Sequence, residues 1–219
     1  MRPQPETRPE VSHLHHLHHL LARIDPWDDL EREQIATAAT WAASGAPLWR
    51  TAKPATPPIH LVSYFVALDA PRGRLLLTAH RASGLWLPPG GHVEPGETPW
   101  AAVRRECREE LGIEAMPWPA GTDPLFLTIT ETRGPGRHTD VSLWHLIHAS
   151  PEQITAYDER EFSAIRWPTP AEVLTEPTTH QDPHLHRFTR KLLAAQPTAP
   201  AATAAPCPGS ASSGPGTPP

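Results

Sequence analysis

The chain has 219 residues, a formal net charge of −5 and 38% hydrophobic residues, which suits one domain of roughly 100–150 residues with appendages. No excess of Lys and Arg is present to neutralise a long phosphate backbone, so extended nucleic acid is excluded as a partner. Two cysteines give no disulfide framework, and no run approaches the roughly 20 apolar residues of a membrane span or forms a signal-peptide core; the expectation is a soluble cytoplasmic protein with no membrane partner.

Val11, Leu14, Leu17, Leu21 and Ile24 recur at spacings of three and four and predict a first helix, with His13, His15, His16, His18 and His19 scattered around its polar surface. A second helix is predicted from Asp25 as N-cap and Pro26 at the first position to a stop at Gly45, burying Leu30, Ile35, Ala38, Trp41 and Ala42. The proline-rich stretch Thr51 to Pro58 reads as a linker. Ile59 to Leu68 and Leu75 to Leu77 read as hairpin strands around DAPRGR. After the short apolar LWL, the prolines and glycines of PPGGHVEPGE predict a loop without regular structure.

A helix is expected from Pro99 to Leu111, capped by the Thr98 hydroxyl and stopped at Gly112. Leu125 to Thr132 and Val141 to His148 predict a further strand pair, and Phe162 to Trp167 one more strand. Thr169, Pro170 and Glu172 form a capping box for another helix, and a last one starts near Asp182, with Leu185, Phe188 and Leu192 in register and Arg187, Arg190 and Lys191 exposed. The expected organisation is a helical extension and linker over 1–56, the main domain over 57–195, and a disordered Pro/Ala-rich tail over 196–219.

At 100° per residue, Glu106, Glu109 and Glu110 fall on one face of the 99–111 helix, with Arg105 on its flank. Three like charges so placed need a countercharge. Carboxylate oxygens are hard donors suited to Mg²⁺ or Mn²⁺, and Mg²⁺ takes substrate phosphates among its ligands. By itself, E-x-x-E-E is more often a solvated face. The surrounding residues decide the matter: Gly91, five residues, Glu97, seven residues, then Arg105, Glu106, Cys107, Arg108, Glu109, Glu110, Leu111, Gly112 and Ile113.

This segment resembles the Nudix box, G, five residues, E, seven residues, R-E-U-x-E-E-x-G-U, with all seven fixed letters met. At about 5–7% usage per letter, a chance match at one start is rarer than about one in 10⁸. Only Cys107 departs, a small hydrophobe where a larger apolar residue is usual. The resemblance implies an α/β Nudix fold, a mixed β-sheet between α-helices, preceded here by the helical extension. It implies metal coordination by Glu106, Glu109, Glu110 and a backbone carbonyl near Gly91, with Glu97 and Arg105 supporting the carboxylates.

The activity so implied is Mg²⁺-dependent hydrolysis, with Mn²⁺ as a substitute, of a diphosphate linkage in a nucleoside diphosphate derivative, a small-molecule partner. The general base is open between a box glutamate and an acidic residue elsewhere, with Asp158, Glu159 and Glu161 as outside candidates. His92, His138 and Asp140 stand near enough in pattern to meet substrate; Trp86, Trp144 and Trp167 read mainly as core. A binding-only nucleotide sensor on this fold would be free to lose box carboxylates, and a prenyl-diphosphate isomerase would need further acid and base residues.

Overall fold

The computed structural model describes residues 8–53, 56–132 and 136–195; the tail expected to be disordered lies outside them, as does the side chain of Val11. Two α-helices open the chain, α1 (Arg8–Arg23) and α2 (Asp29–Ala43). The first strands are β1 (Ile59–Asp69), β2 (Arg74–Leu75), β3 (Leu77–His80), β4 (Leu85–Leu87) and β5 (Gly90–His92). Then come α3 (Pro99–Leu111), β6 (Met116–Pro117), β7 (Phe126–Glu131), β8 (Thr139–His148), β9 (Phe162–Arg166), α4 (Pro170–Thr175) and α5 (Leu185–Ala195).

The near-continuous apolar runs of β1 and β8 have a single cause: the two strands pair in parallel and are covered on both faces. Around them a six-stranded mixed sheet forms, with β2 and β5 antiparallel to β1, and β6 and β7 antiparallel to β8; β4, β3 and β9 make a second, three-stranded sheet. Alternation along the strands sorts the side chains. Phe65, Ala67 and Ile147 meet Val103, Cys107 and Leu111 of α3 on one face. Further along that face, Leu61, Leu127, Val141 and Leu143 meet Leu17, Leu20 and Leu21 of α1 and Ala38 and Ala42 of α2. On the opposite face Val66, Phe126 and Trp144 meet Val173 of α4 and Phe188 and Leu192 of α5. Each such fully buried aliphatic or aromatic side chain contributes roughly 1.5–3 kcal/mol relative to exposure.

Several local expectations change. Helix α2 starts three residues later than expected, because Asp28 is the residue whose carboxylate accepts the Glu31 N–H (2.8 Å). Leu30 is consequently 44% exposed, and Glu31 takes the inward position. Lys191, expected on the surface, is buried, since its ammonium donates to the Glu31 carboxylate at 2.8 Å. Just before the stretch read as linker, Leu48 carbonyl accepts the Leu61 N–H at 2.8 Å, and within that stretch Thr51 N–H donates to Thr56 carbonyl, also at 2.8 Å. The histidines of α1 remain half-buried or exposed, as its polar decoration suggested. Trp144 is core, with its indole N–H donating to the Thr128 hydroxyl (3.1 Å), while Trp86 lies under the Arg166 guanidinium at 4.2 Å. No helix among the described residues is long and apolar enough to cross a membrane.

Candidate active site

Thr98 caps α3 by accepting the Ala101 N–H, Pro99 stands in its first turn, and Gly112 ends it in the left-handed region at φ +64°, which a residue with a side chain enters only at a cost. The turn of 100° that buries Val103, Cys107 and Leu111 carries Glu106 and Glu110 to the margin of the same stripe. Both carboxylates are buried, at 9% and 3% exposure, whereas Glu109 stays open to solvent.

Arg105 organises the group. Its guanidinium forks onto Glu97 (Nε to Oε1 3.0 Å, Nη2 to Oε2 3.1 Å), and Nη1 donates to Glu106 Oε1 (2.7 Å) and Glu109 Oε2 (3.2 Å). Its remaining contact is Nη2 to the His92 carbonyl at 3.0 Å. Hydrogen bonds to Glu97 and Glu106 outweigh burial and keep the guanidinium charged. Glu97 also accepts the Glu94 N–H (3.0 Å), so the loop and the helix are clamped by one side-chain pair. Such half-buried bidentate pairs fix direction as well as charge.

The PPGGH stretch, expected to be irregular, contains β5, whose three residues pair with Tyr64, Ser63 and Val62 of β1. Glycine is what permits the pairing. At Gly90, φ is +138° and a Cβ would strike the Ser63 carbonyl; at Gly91, a Cβ would strike the Glu106 carboxylate. Gly90 N–H donates to Glu110 Oε2 (2.9 Å), and this strand therefore lies directly against the helix carboxylates.

A cavity of about 430 Å³ opens over this junction. Gly90, Gly91, Arg105, Glu106 and Glu161 line it, together with Arg50 and Lys53. Lys53 lies in the stretch read as linker and Arg50 just before it, and neither is singled out by the sequence pattern. Of the three outside acids, Glu161 reaches the cavity. Asp158 is held by Arg160 and donates its N–H to the Glu110 carbonyl (2.8 Å), which fastens that turn to α3.

Burial raises the pKa of Glu106 despite the Arg105 hydrogen bond, and Glu109 and Glu161 push the same way. Burial, then Glu106 and Glu161, raise Glu110 further. Two buried carboxylates and their acidic neighbours thus face one guanidinium, a donor set deficient in positive charge and made of hard oxygens, which fits Mg²⁺ or Mn²⁺. Separately, His60, His92, His138 and Asp140 gather with donor atoms all within 4.8 Å of one another, and of the four His92 also lines the cavity.

A family model described as NUDIX domain matches residues 59–191. The chain belongs to this family. Its members are pyrophosphohydrolases, and this chain is a hydrolase of that class. It is 32% identical over 143 residues to the CTP pyrophosphohydrolase of Escherichia coli K12, a match covering 64% of this chain and 96% of that protein. It is 35% identical over 117 residues to the nucleoside triphosphatase NudI of Escherichia coli O1:K1, covering 50% and 74%. Among solved structures, the MutT NUDIX hydrolase of Burkholderia pseudomallei superposes with a TM-score of 0.50 at 21% identity, covering 61% of this chain and 98% of that one, a likeness of fold.

For this NUDIX chain the Gly91 contact makes a testable case. Gly91→Ala is expected to lower melting temperature modestly, because the Cβ meets the end of the Glu106 side chain rather than backbone, but that carboxylate is buried and held by Arg105. It should lower kcat by about 100-fold through displacement of Glu106, the scale of loss that follows a misplacement of about 1 Å. Thermal unfolding and steady-state turnover measured side by side check it, and unaltered turnover would remove Gly91 from the site.

Proposed function

We propose that this NUDIX chain hydrolyses the phosphoanhydride bond of a small nucleoside diphosphate derivative, nucleoside triphosphates included, with Mg²⁺ or Mn²⁺ and in the cytoplasm. One observation carries the reading: Arg105 gathers Glu97, Glu106 and Glu109 beside the Cβ-free Gly91, at a cavity that Arg50 and Lys53 also line. Glu106, Glu109, Glu110 and the Gly91 carbonyl would hold the divalent ion. When bound, the ion activates water and neutralises charge on the bridging phosphates.

The protein groups have separable tasks. Arg50 and Lys53 bind the polyphosphate by charge, and Lys53, being exposed, is free to follow a chain of varying length. Arg105 and Glu97 hold the carboxylates in place, as outer groups of metal sites do. Glu161, held at the cavity by the Asp158 turn and 3.6 Å from His80, is positioned to take the proton from the attacking water.

The name of the E. coli relative puts CTP first in the test. The purified protein with Mg²⁺ is given CTP, the other nucleoside triphosphates, nucleotide sugars, ADP-ribose and dinucleoside polyphosphates. A triphosphate substrate should yield nucleoside monophosphate and pyrophosphate rather than inorganic phosphate. Binding without cleavage across the panel would replace this reading with that of a nucleotide sensor.

A further inference from the structure

We propose that His60, His92, His138 and Asp140 form a second metal site, selective for a borderline transition ion of the Zn²⁺ class and separate from the glutamate site. The topology brings four distant residues together. His60 on β1 is the register partner of Asp140 at the start of β8, and side chains at paired positions share a face. His92 on β5 pairs with Val62, two residues along from His60, and so joins the same face. His138 is fixed just before β8 by a closed ring of contacts: its N–H donates to the Thr132 hydroxyl (3.0 Å), and its carbonyl accepts the Thr132 N–H (2.8 Å).

Hydrogen bonding settles which imidazole nitrogen carries the proton. His60 Nδ1 lies 2.9 Å from the Pro57 carbonyl and His138 Nδ1 2.8 Å from the Gly136 carbonyl; carbonyls only accept, so both Nδ1 atoms are the donors. His92 Nε2 lies 3.3 Å from an Arg50 N–H, which only donates. In the neutral imidazoles all three Nε2 atoms therefore present lone pairs. They face Asp140 Oδ1 at 3.1 Å (His138), 3.6 Å (His60) and 3.9 Å (His92).

Lone pairs facing a carboxylate repel one another unless a cation lies among them. His60 is fully buried, and neither its Nε2 nor Asp140 Oδ1 has a hydrogen-bond partner by geometry among the described residues. Buried polar atoms of this kind call for a partner. Three imidazole nitrogens and one carboxylate oxygen suit tetrahedral Zn²⁺, whose bonds of about 2.0–2.1 Å place donors roughly 3.3 Å apart, and disfavour the harder Mg²⁺. The Pro57 and Gly136 carbonyls are the outer groups that orient ligating histidines in such sites. Arg50, the cation donating to His92, would turn toward the cavity. With four protein ligands the site is closed, and its role is to brace β5, whose His92 carbonyl holds Arg105. This inference stands apart from the choice of substrate.

The test uses the full chain, stripped with a chelator and kept in excess Mg²⁺, to which Zn²⁺ alone is added. His13, His15, His16, His18 and His19 bring imidazoles of their own, so a background variant with all five replaced by Gln is run beside the parent. Both should retain one Zn²⁺ per chain in native mass spectrometry, and Co²⁺ in its place should show the visible bands of a four-coordinate ion. In that background His138→Ala and Asp140→Asn should each weaken Zn²⁺, read by competition with a chromophoric chelator, by more than about 100-fold, beyond the loss typical of an outer partner. If either variant fails to fold by circular dichroism, the stoichiometry of the background variant decides. Zinc lost with the five glutamines, or affinity unchanged in both site variants, overturns the proposal and leaves His138 and Asp140 as a pair sharing a proton.

Discussion

Glu109→Gln is expected to leave the fold intact and to lower kcat by at least about 10²–10³-fold, the loss that follows removal of one charge-stabilising group from an active site. Glu109 is the solvent-open member of the carboxylate group and accepts a single bond, from Arg105, so its replacement has little structural cost. Glu110→Gln supplies the contrast. Its carboxylate is buried and its pKa raised by burial and by Glu106, so the folded state without metal pays for that charge at neutral pH. An amide keeps an oxygen for the Gly90 N–H and removes the charge; melting temperature in chelator should rise while Mg²⁺-dependent turnover falls. Calorimetry and steady-state kinetics on the pair check this. Full activity in Glu109→Gln, or a lower melting temperature for Glu110→Gln in chelator, would contradict the assignment of these residues to a charge-deficient metal site.

Glu31→Gln is expected to destabilise the protein by about 3–5 kcal/mol, the usual result of stranding one partner of a buried ion pair. Glu31 is fully buried, and its two oxygens serve three donors: Trp27 N–H (2.6 Å), Leu127 N–H (3.2 Å) and Lys191 Nζ (2.8 Å). One carboxylate thus joins the start of α2, strand β7 and helix α5. Lys191 pays for burial with a lowered pKa, against which Glu31 pulls. Adding Lys191→Met to Glu31→Gln should recover much of the loss, because the unpaired ammonium is gone and an amide oxygen remains for a backbone donor. Urea unfolding of the single and double variants measures the coupling; additive losses would mean that the pair is not the source.

What was legible in the sequence was local. Helix α3 was placed to the residue by Thr98, Pro99 and Gly112, whose effects act within one turn, and the shared face of Glu106, Glu109 and Glu110 followed from helical geometry. The Arg105 and Glu97 fork spans eight positions, and the supporting part proposed for these two residues comes from the resemblance rather than from local pattern. Long-range pairing was not legible. Lys191 reads as surface because its partner stands 160 positions away, and Arg50 and Lys53 carry no local signal because the cavity they line is built with β5 and α3. His92, His138 and Asp140 were noticed one at a time; His60, buried in an apolar run, was not. Their common point depends on the register of three strands, which no local pattern encodes.

The parallel pairing of β1 with β8 has a kinetic consequence. Contacts such as His60 with Asp140 join positions far apart in the chain, and closing so long a loop precedes any reward from the pairing. During synthesis β1 must wait, apolar on both faces, until β8 has left the ribosome. Pairing of β1 with β8 is therefore expected to follow formation of α3, whose signals are local, an order that pulse-labelling hydrogen exchange during refolding would show by earlier protection of α3 amides than of β1.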